Sequence, residues 1–219
     1  MHTAINRRPL FGLRTLMLSV LLLTLAAPAA LAQDAASRPM RLTAISGTLA
    51  HPSAVVVDPA GTSDTRLSPA ATFGLELQVK TFSFASLYAG VAGSFSSLEH
   101  GANLGVVAGP GSSGATLILG TAGLALAASD WFANIQPTLR LGGGLKMYNF
   151  TTTGASSFTT FTGDIGAGLR AGSGSIEVLA EVRYLPSTFD QAKLPLRGLT
   201  PQDQQQNDLL FAIGVTVKP

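Results

Sequence analysis

The sequence has no cysteine, a single tryptophan and only 12% charged residues among its 219. Without cysteine there is no disulfide framework and no lipid-modified N-terminal cysteine. The charged fraction is about half of the roughly 25% usual in a soluble domain, which argues against an ordinary solvent-covered globule. Apolar residues make up 46% of the chain, which argues against disorder. Long hydrophobic runs are also missing. Beyond the N-terminus, no run approaches the roughly 18 residues that a membrane helix needs. What remains is an apolar, glycine-rich, charge-poor chain with neither a spanning helix nor a soluble surface. A membrane β-barrel leads the few architectures open to it.

Residues 1–32 read as a secretory signal peptide. Arg7, Arg8 and Arg14 form a basic start, Leu16 to Ala26 is a short apolar stretch, and Ala30-Leu31-Ala32 is a small-x-small cleavage site before Gln33. Residues 33–219 are then the mature domain. The whole chain carries 14 Lys+Arg against 12 Asp+Glu. The signal holds three of the arginines and no acid, so the mature chain has a net charge of −1. That balance offers no basic face for nucleic acid.

Eight segments of the mature chain read as strands, near 40–50, 70–80, 84–97, 115–127, 132–150, 157–171, 174–186 and 206–218. The second alternates most cleanly. Phe73, Leu75, Leu77 and Val79 face one way, and Thr72, Gly74, Glu76 and Gln78 the other. In the fifth, Ile135, Leu139, Leu141, Leu145 and Met147 oppose Gln136, Thr138, Arg140, Lys146 and Tyr148. The last three segments behave alike. Ala and Gly blur the parity of the first, third and fourth.

Connections alternate between short and long. Short turns fall around Phe82, at 128–131 and at Gly172-Ser173; the other connections are longer, at 51–69, 98–114 and 187–205, with a shorter one at 151–156. An outer-membrane barrel alternates tight periplasmic turns with long extracellular loops in this way. Most prolines fall in long connections or at strand edges, where a missing N–H costs no ladder bond. Pro137 sits inside the fifth segment, so a bulge or fray is expected there. The expected fold is all-β: an eight-stranded antiparallel up-and-down transmembrane barrel preceded by a cleaved signal peptide.

Period-2 alternation does not say which face is inside, and a soluble lipocalin-like carrier would have the faces exchanged. Three features favour an outward apolar face. The polar face carries a nearly balanced charge set, Glu76, Asp164, Glu177 and Glu181 against Arg140, Lys146, Arg170 and Arg183. Such a set can pair inside a small barrel. Aromatic residues gather near strand ends, with Phe73, Phe95, Tyr148, Phe150, Phe158, Phe161 and Tyr184 toward the loops. Phe82, Phe84, Tyr88, Trp131 and Phe132 lie toward the turns. Two aromatic girdles are expected at two interfaces. Several segments also exceed the roughly 9–11 residues of a tilted span. Eight strands leave an interior that side chains can fill. The expected interior is therefore a plug of paired charges, small residues and water, with no wide pore.

Further local features are Gly142-Gly143-Gly144-Leu145-Lys146-Met147-Tyr148-Asn149-Phe150, Asp164-Ile165-Gly166-Ala167-Gly168, Glu181-Val182-Arg183-Tyr184 and Asn207-Asp208-Leu209. With the signal peptide, they make residues 39–219 resemble the small outer-membrane β-barrel family, the OmpA/OmpX/OmpW-like barrels of bacterial envelopes. The resemblance implies a bacterial outer-membrane location, contact with outer-membrane lipids and insertion by the barrel-assembly machinery. It also implies a role in structure, surface interaction or passage of a small solute. One departure concerns insertion: members usually end in an aromatic residue, and this chain ends Val217-Lys218-Pro219.

Catalytic chemistry has little to stand on. A lipid A-modifying barrel would need a nucleophilic serine near a histidine and an acid. The mature chain has only His51 and His100. His51-Pro52-Ser53 resembles the His-x-Ser of deacylase barrels, but no acid stands beside it in the sequence. Both histidines are expected in solvent-facing loops. No cofactor and no transition-metal site are expected. The expected protein is non-enzymatic.

Overall fold

The computed structural model describes residues 40–57, 64–101, 111–128, 134–172, 174–196, 200 and 203–218. The proposed signal segment 1–32, Trp131 and Phe132 lie outside them. The strands are β1 Met40–Ala50, β2 Ala54–Val57, β3 Asp64–Leu67, β4 Ala70–Lys80, β5 Ala85–His100, β6 Gly111–Ala127, β7 Ile135–Phe150, β8 Phe158–Ala171, β9 Ile176–Asp190 and β10 Asp203–Val217. A 3-10 turn, Gln191–Lys193, follows β9.

Eight of these strands close on themselves in the order β5-β4-β1-β10-β9-β8-β7-β6, and β6 pairs back onto β5. Every pairing is antiparallel. Closure leaves no free sheet edge, which is what a sheet in hydrocarbon requires. The eight segments read from alternation are these eight strands.

The two short strands were not expected. β2 and β3 form a hairpin within 51–69 and join the wall through Arg66↔Glu99 and Leu67↔Leu98 of β5. At four residues each, they are too short for a period to show. Two prolines behave differently from expectation. Pro137 makes no bulge: it pairs in register with Leu169, and its carbonyl accepts from Ala128 N at 3.0 Å. Its missing N–H therefore faces β6 just where that ladder ends. Pro186 lies inside β9 rather than at its edge. Its carbonyl accepts from the Thr162 hydroxyl at 3.1 Å, so its nitrogen faces β8. The β8–β9 ladder skips from Ile165↔Tyr184 to Thr162↔Ser187 around it.

The wall changes character along its height. Near the turns and through the middle, Phe73, Leu75, Leu141, Ile165, Val178, Val182 and Ile213 are exposed on the outside. Inside, Glu76, Arg140, Asp164, Glu181 and Arg183 are buried. Toward the loops the pattern inverts. The inside is filled by Leu49, Leu98, Leu117, Tyr148, Phe158, Leu185, Phe189 and Leu210, with Val55 and Val56 of the hairpin packed among them. The outside there carries Ser97, Thr116, Asn149, Thr159, Thr188 and Gln205. The interior therefore differs from the expected mix of charges, small residues and water in having an apolar cap at the loop end. Tyr148 and Phe158 are part of that cap, not of an outer girdle, and Tyr88 also points inward.

Glycine is required where strands crowd a large inward side chain. A Cβ on Gly142 would meet both the Tyr88 hydroxyl and the Ala122 carbonyl, whereas Gly93 has open space on the outer face. Gly142→Ala is expected to destabilise the barrel by about 1–3 kcal/mol, as overpacking does. Gly93→Ala is expected to stay within about 0.5 kcal/mol. Urea unfolding of the two variants in the same vesicles checks this.

Candidate functional site in the barrel interior

Three polar layers stack inside the barrel, because inward positions two residues apart on one strand lie one above another. The middle layer is a connected ionic network. Arg140 of β7 reaches Glu76 of β4 at 2.6 Å and Glu181 of β9 at 2.9 Å, with Asp164 of β8 at 3.3 Å. Arg183 of β9 grips Asp164 through two nitrogens, Nε donating to Oδ1 at 3.0 Å. Its Nη2 also donates to the Thr121 hydroxyl at 2.9 Å. The Tyr88 hydroxyl donates to Asp164 at 2.8 Å, and the Arg140 guanidinium lies 4.0 Å above the Tyr88 ring. Side chains from six strands are tied together across the lumen.

The loop-side layer sits directly under the apolar cap. Lys146 Nζ donates to Asp208 Oδ2 at 2.6 Å and to the Ser187 hydroxyl at 2.9 Å. His51 Nδ1 lies 2.8 Å from Asp208 Oδ1, and the Gln206 amide donates to that same oxygen at 2.8 Å. Both histidines differ from expectation. His51, the residue after β1, and His100, the last residue of β5, are both buried, rather than lying in open loops. An acid does stand beside His51. Asp208 comes from the far end of the chain, and antiparallel closure of β1 on β10 brings the two together. His51 Nε2 has no hydrogen-bond partner, so among the described residues no serine is activated by it.

The turn-side layer surrounds the other mouth. Arg41, Arg170 and Lys218 meet at the carboxylate of Glu177, at 3.3, 3.6 and 2.5 Å. Arg170 Nη2 also donates to Gln78 Oε1 at 3.0 Å, and Gln78 Nε2 to Glu76 Oε1 at 2.8 Å, which links this layer to the middle one.

All eight charged residues picked out by alternation, Glu76, Arg140, Lys146, Asp164, Arg170, Glu177, Glu181 and Arg183, are buried inside and ion-paired. Sequence reasoning missed Asp208, His51, Tyr88, Arg41 and Lys218. Parity alone places Asp208 and Lys218 on the polar face of the last segment, but their partners are not visible in the sequence. Between the middle and turn-side layers lies a small cavity of about 20 Å³ lined by Gln78, Ser86, Thr138, Arg140, Arg170 and Glu181. It holds about one water molecule.

No family profile matches the chain, and neither does any curated protein sequence. Solved structures match it in fold. Neisserial surface protein A aligns with a TM-score of 0.53 at 12% identity, covering 82% of this chain and 97% of that one. The outer membrane protein OprG from Pseudomonas aeruginosa aligns with a TM-score of 0.56 at 12% identity, covering 83% and 97%. The chain thus shares the closed antiparallel barrel fold of small bacterial outer-membrane proteins of the OmpA/OmpX-like kind.

Proposed function

We propose that this chain is a non-enzymatic outer-membrane β-barrel protein of a bacterial envelope, exported through a signal peptide cleaved after Ala32. Its short turns face the periplasm and its long loops face outward. Its partners are outer-membrane lipids and the barrel-assembly machinery. The role is structural support or surface interaction through the loops, rather than open passage of solutes.

One observation carries this reading: the inversion of the wall. Phe73 of β4 and Phe95 of β5 are exposed on the outer face toward the loops, and Phe82 and Phe84, in the turn between those two strands, are exposed at the other end; nine residues separate Phe73 from Phe82 and eleven separate Phe84 from Phe95. A tilted strand needs about 9–11 residues to cross hydrocarbon. Between these rings the outside is apolar and the inside ionic. Above them the outside is polar and the inside apolar, as in a water-soluble protein. A soluble carrier would have no reason to change face at that level. At the level of the loop-side ring, the Tyr184 hydroxyl donates to Asn207 Oδ1 at 2.7 Å, an amphipathic pair suited to an interface. The cap and the ion pairs close the lumen, which favours a surface role over conduction.

Val182 lies within the apolar band of β9 and Thr188 above it on the same outer face. Val182→Arg is expected to destabilise the vesicle-inserted barrel by about 2–4 kcal/mol, and Thr188→Arg by about 0–1 kcal/mol. Reversible urea unfolding in phospholipid vesicles measures both. Equal effects would contradict a hydrocarbon boundary between the two positions.

A further inference from the structure

The three polar layers are not equally balanced. In the middle layer two arginines face three carboxylates, and in the loop-side layer Lys146 faces Asp208. At the turn-side mouth, among the described residues, three cations face one carboxylate, leaving an excess of two positive charges. Among the described residues, Glu177 is the only acid at that end of the barrel. Lys80 closes β4 at the same rim, two positions beyond Gln78. The one surplus carboxylate of the middle layer offsets this field only in part.

The donors at the mouth are also under-used. Arg170 is 3% exposed, and its Nε has no hydrogen-bond partner; neither does the Nε of Arg41. Both point at Glu177 from beyond good hydrogen-bond distance. A guanidinium presents its donors in a planar fork that matches carboxylate and phosphate oxygens. Lys218 is the outermost of the three, with its side chain 31% exposed. The mouth is therefore reachable from the turn side. The cavity behind it has room for about one water, so a group entering there stops at the rim.

We infer that the turn-side mouth is an oxyanion-binding site, in which Arg41, Arg170 and Lys218 already hold the Glu177 carboxylate, and Arg41 and Lys218, the two that reach the rim, take a second carboxylate or phosphate group from a ligand. The site itself follows from the barrel interior alone; that the ligand is periplasmic rests on the proposed orientation. Failure of the site would leave the membrane reading intact, because that reading is tested separately at Val182 and Thr188.

The test uses the folded mature chain in a non-ionic detergent at low salt. Inorganic phosphate, acetate and a short-chain phosphatidylglycerol below its micelle threshold are titrated separately, with amide and side-chain NMR shifts as the readout. Saturable shifts confined to Arg41, Arg170, Glu177 and Lys218 are expected with at least one of them. The relative Kd values distinguish a free phosphate, a carboxylate and a lipid headgroup. Glu177→Gln is expected to tighten binding by about fivefold to tenfold, because it removes the competing internal charge, and Lys218→Gln to weaken it by a similar factor. Lys193→Gln, at the opposite end, is expected to leave binding unchanged. A purely structural role for Glu177 would not raise affinity when its charge is removed. Absence of saturable shifts with all three ligands would overturn the inference. So would weaker binding by Glu177→Gln, or equal losses in the Lys193 and Lys218 variants.

Discussion

Replacing Arg183 with alanine is expected to lower the unfolding free energy of the barrel by about 3–5 kcal/mol. The guanidinium is 2% exposed and holds both oxygens of Asp164, which is itself fully buried. Removing it leaves that carboxylate with only Tyr88 and a shared Arg140, far from water that could take over. Thr121 loses its donor at the same time. Lys193→Ala is the matched comparison. Lys193 lies 3.7 Å from Asp190, with both side chains more than a third exposed. An exposed pair of that kind contributes about 0–1 kcal/mol. Heat-modified gel mobility and urea unfolding read both variants. Equal transitions would mean that the middle layer is solvated rather than sealed. The double variant Arg183→Met/Asp164→Leu is expected to regain part of the loss, since removing both charges abolishes the uncompensated burial.

Phe189→Ala is expected to cost a similar amount, about 3–5 kcal/mol, but at the other end of the molecule. Phe189 is fully buried and stands edge-on to Tyr148 and Phe158, with ring centroids 5.2 and 5.1 Å away. It is the last inward aromatic of β9, just before the 3-10 turn whose Gln191 amide donates to the Val55 carbonyl at 2.8 Å. The cap thereby ties the loop after β9 to the hairpin β2–β3. A cavity at Phe189 loosens that tie while leaving the ionic layers in place. The expected signature is faster proteolytic cutting at 51–69 and 187–205 in intact vesicles, with the membrane-protected fragment unchanged. Loss of the protected fragment as well would show that cap and barrel unfold as one unit.

How much of this was legible in the sequence depended on contrast between neighbours. In β4, a glutamate and a glutamine stand between leucines, so Glu76 and Gln78 could be placed inside by parity alone. In β5 and β6, Ala, Gly and Ser occupy both faces, and parity could not assign Tyr88 or Leu117. Which charge pairs with which was not legible. Tyr88 and Asp164 are 76 residues apart, and His51 and Asp208 are 157 apart. Only the closure of the barrel brings them together. The aromatic positions misled for a related reason. Tyr148 and Phe158 lie near strand ends, as girdle residues do, but parity turns them inward above the hydrocarbon level. There an apolar core is what the lumen needs.

The central claim is that the outer wall between the phenylalanine rings touches acyl chains. Nitroxide labels at Leu75, Leu141 and Val178, and at Thr188 and Gln205, test it without disturbing the interior, because all five face outward. In phospholipid vesicles, the first three are expected to relax readily with dissolved oxygen and to be shielded from a water-soluble nickel chelate. The last two are expected to show the reverse. Nickel access equal at all five positions would contradict the claim and return the chain to a water-soluble barrel.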